Sequence, residues 1–116
     1  MSSSARPHAD VLDPLSLSRT ISDAYYNVPI AAVNDHEIRM SVMTEQFRWH
    51  HHPDSDETFC GVDGELVIEF TDREVVLKPG EFLTVPAGTI HRTRPLGDRS
   101  VNLTFERVGA QTIFEE

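Results

Sequence analysis

The sequence holds a single cysteine, Cys60, so no disulfide can close within one chain. That scarcity matches a reducing compartment, and the cytoplasm is the expected one. Positive charge is also scarce. Ten Lys and Arg stand against 19 Asp and Glu, a formal charge of −9. Duplex nucleic acid and anionic membranes need a basic footprint, so neither is expected as a partner. Long apolar runs are missing as well. Val28 to Val33 spans a few residues and is broken by Pro29, whereas a bilayer span needs about 20. The stretch from Met1 to His8 has one Arg and no apolar segment behind it, so no secretory leader is expected. There is no repeat, no low-complexity tract and no long helical periodicity. At 116 residues the chain has the length of one domain.

What the chain does carry is β-type pattern. Ile38-Arg39-Met40-Ser41-Val42 alternates apolar with polar residues, the period of a half-buried strand. Leu66, Ile68 and Phe70 share one face of a second run, and Val101, Leu103 and Phe105 one face of another. Shorter runs, Glu74 to Leu77 and Phe82 to Val85, lie between the turn signals Thr71-Asp72-Arg73, Lys78-Pro79-Gly80 and Pro86-Ala87-Gly88. Asp63-Gly64 reads as a hairpin turn. Seven or eight short strands with turns between them predict an all-β sandwich or barrel. The expected organisation is an N-terminal extension over 1–27, a β domain over 28–110 and a C-terminal tail over 111–116. The extension begins as a disordered tail, and Asp13-Pro14 suits the start of a short helix.

The unusual component is histidine. There are six, four of them between residues 50 and 91. His50 and His52 lie two apart, so on a strand they point to the same side. They share parity with Ile38, Met40 and Val42, the residues expected to face the core, so both imidazoles are expected inside the fold. Buried imidazoles need partners, and a metal ion satisfies two at once. Glu57 follows a turn over Pro53 to Asp56 and can return beside them. His91 follows the turn at Pro86 to Gly88. Each residue alone has an ordinary reading: a solvated His run, a surface carboxylate, a hydrogen-bonded strand histidine. Together they make a set of three nitrogens and one oxygen. That set suits Fe, Mn, Ni, Cu or Zn and is too rich in nitrogen for Ca or Mg.

The spacing resembles the cupin superfamily in its small single-domain form. Its first motif, H-x-H-(x)3–4-E-(x)6-G, is matched by His50, His52, Glu57 and Gly64. Its second, G-(x)5-P-x-G-(x)2-H-(x)3-N, is matched by Gly80, Pro86, Gly88 and His91. The chain departs from the pattern at Thr44, where a Gly is usual, and at Pro95, where an Asn is usual. The resemblance covers about residues 36–107. It implies an all-β fold, a single jelly-roll-type β-barrel with a short irregular or helical N-terminal extension. It also implies one divalent transition metal ion on His50, His52, Glu57 and His91, and a homodimer; the residues before about 35 are candidates for a strand across its interface.

The residues around this set give further candidates. Gln46 and Arg48 have the parity of the interior and are expected near the cavity mouth. Arg48 suits either a substrate carboxylate or a rim salt bridge. Phe59, Phe70, Phe82 and Phe105 read as core packing, with Phe59 a candidate pocket wall. Thr93, two residues after His91, is expected to face the cavity. His51 and Trp49 have outward parity, and Cys60 reads as an inert thiol. The expected function is a metal-dependent enzyme on a small oxygen-bearing organic substrate. Dioxygenase-type oxidation is favoured over isomerase, lyase or decarboxylase chemistry. A non-catalytic ligand-binding or sensor barrel is the alternative, and a barrel whose metal is only a structural staple is a third reading.

Overall fold

The computed structural model describes residues 9–116. The disordered start expected of the extension falls largely on residues 1–8 and lies outside them. Helix α1 (Pro14–Ser18) begins where Asp13-Pro14 predicts it. The Asp13 carboxylate accepts from the amides of Leu15 and Ser16, at 3.1 and 3.3 Å, and Pro14 supplies a helical φ at no hydrogen-bond cost. Five residues are too few to hold a helix alone. Arg99 anchors it, donating to the carbonyls of Ser18 and Ile21 at 2.6 and 3.3 Å.

Ten strands follow among the described residues: β1 (Tyr25–Val33), β2 (His36–Met43), β3 (His50–His51), β4 (Glu57–Asp63), β5 (Leu66–Phe70), β6 (Glu74–Leu77), β7 (Phe82–Val85), β8 (His91–Pro95), β9 (Ser100–Arg107) and β10 (Ile113–Phe114). Two antiparallel five-stranded sheets result, in the orders β1-β2-β9-β4-β7 and β10-β3-β8-β5-β6. This is the all-β jelly-roll barrel that the sequence predicts. The count exceeds seven or eight partly because β3 and β10 have two residues each, too short to show a period. Residues 25–27 of the expected extension belong to β1, which pairs with β2 of the same chain. Part of the expected tail, Ile113–Phe114, pairs with β3.

The Asp63-Gly64 turn joins β4 to β5, with Gly64 at φ 68°. A Cβ there would stand 2.3 Å from the Arg99 carbonyl oxygen, so only glycine fits.

Two apolar layers stabilise the barrel. The inner one gathers Met43, Phe59, Leu66, Ile68, Leu77 and Val85. The other gathers Met40, Val42 and Val101, with Ile21, Tyr26 and Leu103 packed on them. The second layer corrects the reading of β2. Met40 and Val42 face away from the cavity and are covered by the N-terminal segment, while Glu37, Arg39 and Ser41 face in. Alternation identifies which residues share a face, and here the polar face points inward. Phe82 is also corrected. It stands on edge strand β7 with 65% of its surface exposed and packs in neither layer. No helix among the described residues is long and apolar enough to cross a membrane.

Candidate metal centre

His50 opens β3, His52 follows it, Glu57 opens β4 and His91 opens β8. The register places His50 directly opposite His91. All four residues are buried, and their candidate ligand atoms lie within 4.8 Å of one another. Glu57 Oε1 stands 3.3 Å from His52 Nε2 and 3.2 Å from His91 Nε2. The ring centroids of His50 and His91 are 4.4 Å apart, and those of His50 and His52 are 5.0 Å apart.

The backbone fixes how each imidazole presents itself. His50 Nδ1 lies 2.7 Å from the Arg48 carbonyl, His52 Nδ1 2.9 Å from the Gln111 carbonyl and His91 Nδ1 2.8 Å from the Thr89 carbonyl. A carbonyl oxygen only accepts, so each Nδ1 carries the proton and donates it. Nε2 is thereby the nitrogen that each ring turns toward the cluster, the orientation that histidine needs for metal ligation once that nitrogen carries no proton. His52 Nε2 is buried with no hydrogen bond of acceptable geometry; its approach to Glu57 is a charge contact only. An orphaned buried nitrogen among three further donors fits a divalent transition ion held by His50, His52, Glu57 and His91.

Electrostatics follow from the same contacts. Burial lowers His50 to about 4, so it is neutral at pH 7. Burial also works to lower His52, but the Glu57 carboxylate outweighs it and holds His52 up at about 9. Burial works to raise Glu57, while His52 and His91 hold it well below the usual carboxylate range. Glu106 is pushed up to about 7, first by burial and then by the charge of Glu57.

His50, His52 and Glu57 line a cavity of about 610 Å³, while His91 is fully buried and does not line it. Phe59 and Thr93, both expected there, line it and are buried. Gln46 and Arg48 do not line it. The strand ends at Met43, so the two-residue alternation does not run through to residue 48. Gln46 is exposed and donates to Glu69 at 2.8 Å. Arg48 is exposed and its guanidinium stacks 4.1 Å from the Phe114 ring centroid. Phe47, between them, lines the cavity instead. His51 is half-buried, with Nδ1 2.6 Å from the Glu115 carboxylate. Trp49 carries the Arg92 guanidinium 4.5 Å over its ring.

Sequence reasoning missed the polar wall. Ser41, Arg39 and Glu37 on β2 pair directly with Asn102, Thr104 and Glu106 on β9, and all six line the cavity. The signal was present as two strands whose polar positions alternate. Such alternation ordinarily marks a solvent face. The segment after β9 also lines the cavity, through Gly109, Ala110, Thr112 and Phe114.

Comparisons with known proteins agree with this architecture. The family described as Cupin domain matches residues 36–105. The uncharacterized protein YdbB of Bacillus subtilis is 45% identical over 103 residues, covering 88% of this chain and 90% of that protein. Quercetin 2,3-dioxygenase of Bacillus subtilis is 40% identical over 45 residues, which is 39% of this chain but only 13% of that enzyme. The crystal structure of a cupin-2 domain containing protein from Shewanella frigidimarina superposes with a TM-score of 0.78 at 26% identity. That match covers 84% of this chain and 94% of the other.

Proposed function

This chain belongs to the cupin domain family, and we propose that it is a metal-dependent enzyme acting on a small oxygen-bearing organic molecule, by dioxygenase-type oxidation. One observation carries the reading. Three imidazoles with their Nδ1 protons committed to backbone carbonyls converge with one carboxylate, and three of these four residues line a cavity large enough for a small molecule. A structural staple is disfavoured because such zinc sites are usually closed and rich in thiolate, and Cys60 is not in the cluster. When bound, the ion would supply positions beyond its four protein donors, for activating dioxygen or polarising an oxygen-bearing substrate. The partial likeness to quercetin 2,3-dioxygenase supports the oxidative choice.

The protein's own residues do the positioning. Phe59 meets His91 edge-on at 6.1 Å and keeps the ligand rings dry. Phe47 meets His50 edge-on at 5.1 Å. Glu106, beside Glu57, can accept or return a proton near neutral pH.

The test is metal content of protein prepared without chelating resin, followed by oxygen uptake with enols and catechols after loading Fe(II) or Zn(II). Bound metal and oxygen consumption with Fe(II) alone are expected. Turnover with Zn(II) and no oxygen uptake would move the assignment to isomerase or lyase chemistry. Tight ligand binding without turnover on any ion would make the barrel a sensor.

A further inference from the structure

We infer that the cavity selects a small neutral molecule carrying at least two hydroxyl groups, recognised by Asn102 and Thr104. This deepens the reading above and rests on it for the ion, but not for the wall. Three observations carry it. The first is the state of Asn102 and Thr104. Both are 2% exposed, both line the cavity, and Asn102 Oδ1 and Thr104 Oγ1 have no hydrogen-bond partner within the protein. Buried polar atoms are seldom left unpaired, and one that lines a cavity is matched by what the cavity holds. An amide oxygen accepts, and a threonine hydroxyl both accepts and donates, so hydroxyl groups satisfy both.

The second observation is charge. The cavity carries the carboxylates of Glu37, Glu57 and Glu106 against the single guanidinium of Arg39. A lining this rich in carboxylates is not built to hold an anionic ligand. Arg39 is not waiting for one. It donates to Glu37 Oε2 and to Asn27 Oδ1, each at 2.6 Å, and to the Asn27 carbonyl at 3.2 Å. A guanidinium so engaged holds the polar wall in place and is not free to grip a substrate carboxylate in the usual fork.

The third observation is shape. Tyr25 and Phe47 stack at 4.9 Å with planes 16° apart, and Phe114 lies 5.8 Å from Phe47. All three line the same cavity. Tyr25 and Phe47 turn their faces to each other, so what they add to the lining is an apolar wall beside the polar one, which suits the hydrocarbon body of a hydroxylated ligand.

The experiment is calorimetric titration of catechol, its dimethyl ether and 3,4-dihydroxybenzoate into the Zn(II)-loaded and the metal-free protein. Wild type is compared with Thr104→Val, which keeps the side-chain shape, and with Asn102→Ala. Catechol affinity is expected to fall at least tenfold in each variant, with zinc stoichiometry and melting temperature held in Thr104→Val. The ether and the carboxylate are expected to bind more weakly than catechol to wild type. Equal catechol affinity in wild type and Thr104→Val overturns the inference, as does tighter binding of 3,4-dihydroxybenzoate or no catechol binding at all. If the protein takes up no zinc, the metal reading fails by itself, and the metal-free titrations still decide the wall.

Discussion

His52 Nδ1 donates to the Gln111 carbonyl across 2.9 Å, so an interior ligand is held by a residue 59 positions further along the chain. The same segment is tied down again at Gln111 N, which donates to Asp54 Oδ1 at 3.0 Å, and at Glu115 N, which donates to the Trp49 carbonyl at 3.0 Å. The loop carrying two ligands and the C-terminal segment therefore brace each other. Loss of a partner that orients a ligating histidine typically costs about 10–100-fold in metal affinity. Deleting residues 111–116 is expected to weaken metal binding by that order, measured by competition with a chelator. Gln111→Ala keeps the carbonyl and is expected to bind metal as wild type does. Equal loss in both would mean that the side chain, and not the backbone, positions His52.

The His52–Glu57 contact gives the metal-free protein a pH signature. His52 is held up at about 9, above its ordinary 6.5, so its contribution is complete below 6.5 and is lost as pH rises through about 9. Glu57 is held below its ordinary 4.5, so its contribution is complete above 4.5 and is lost as pH falls toward its lowered value. The pair therefore stabilises the metal-free fold most between 4.5 and 6.5. Metal requires His52 neutral, and binding must expel its proton. Chelator competition at about pH 6, 7 and 8 is expected to show affinity rising roughly tenfold per pH unit. An affinity flat across that range would mean His52 is already neutral before the ion arrives.

Much of the ligand set was legible because ligand chemistry restricts residue type and the turns restrict spacing. The His50 to Glu57 interval spans one tight connection, and the Gly80 to His91 interval another. The cavity wall was harder to read. Period two says that Glu37, Arg39 and Ser41 share a face, and equally that Met40 and Val42 share the other. It does not say which face meets the barrel axis. The ordinary assumption puts the apolar face inside, and it fails on β2 because the N-terminal segment covers the outer face of that sheet. His50 and His52 still face in, although parity with β2 is not the reason. The chain leaves the strand after Met43, and β3 starts a fresh alternation in the other sheet.

Position within the histidine run should separate ligands from neighbours. His50 and His52 are buried and turn Nε2 toward the cluster, whereas His51 binds the Glu115 carboxylate through Nδ1 at 2.6 Å. His50→Ala and His52→Ala are expected to bring bound metal close to background in elemental analysis. His51→Ala is expected to keep near-stoichiometric metal, with a stability change of about 1 kcal/mol or less from a partly exposed ion pair. Metal retained in His52→Ala would remove that residue from the ligand set.

The two-layer packing makes a quantitative prediction that the simple picture of one core does not. Ile68 is fully buried in the inner layer, and Met40 is 1% exposed in the outer one. Truncating a buried aliphatic side chain to alanine costs about 2–5 kcal/mol, from lost transfer energy plus the cavity left behind. Ile68→Ala and Met40→Ala are both expected to fall in that range in urea unfolding. Phe82→Ala, on the exposed edge strand, is expected to change stability by no more than about 0.5 kcal/mol. The Met40 result is the decisive one. An outer sheet face open to water would make that substitution nearly neutral. A large loss, abolished when the residues up to Ile21 are removed, would show that the N-terminal segment is a working layer of the fold.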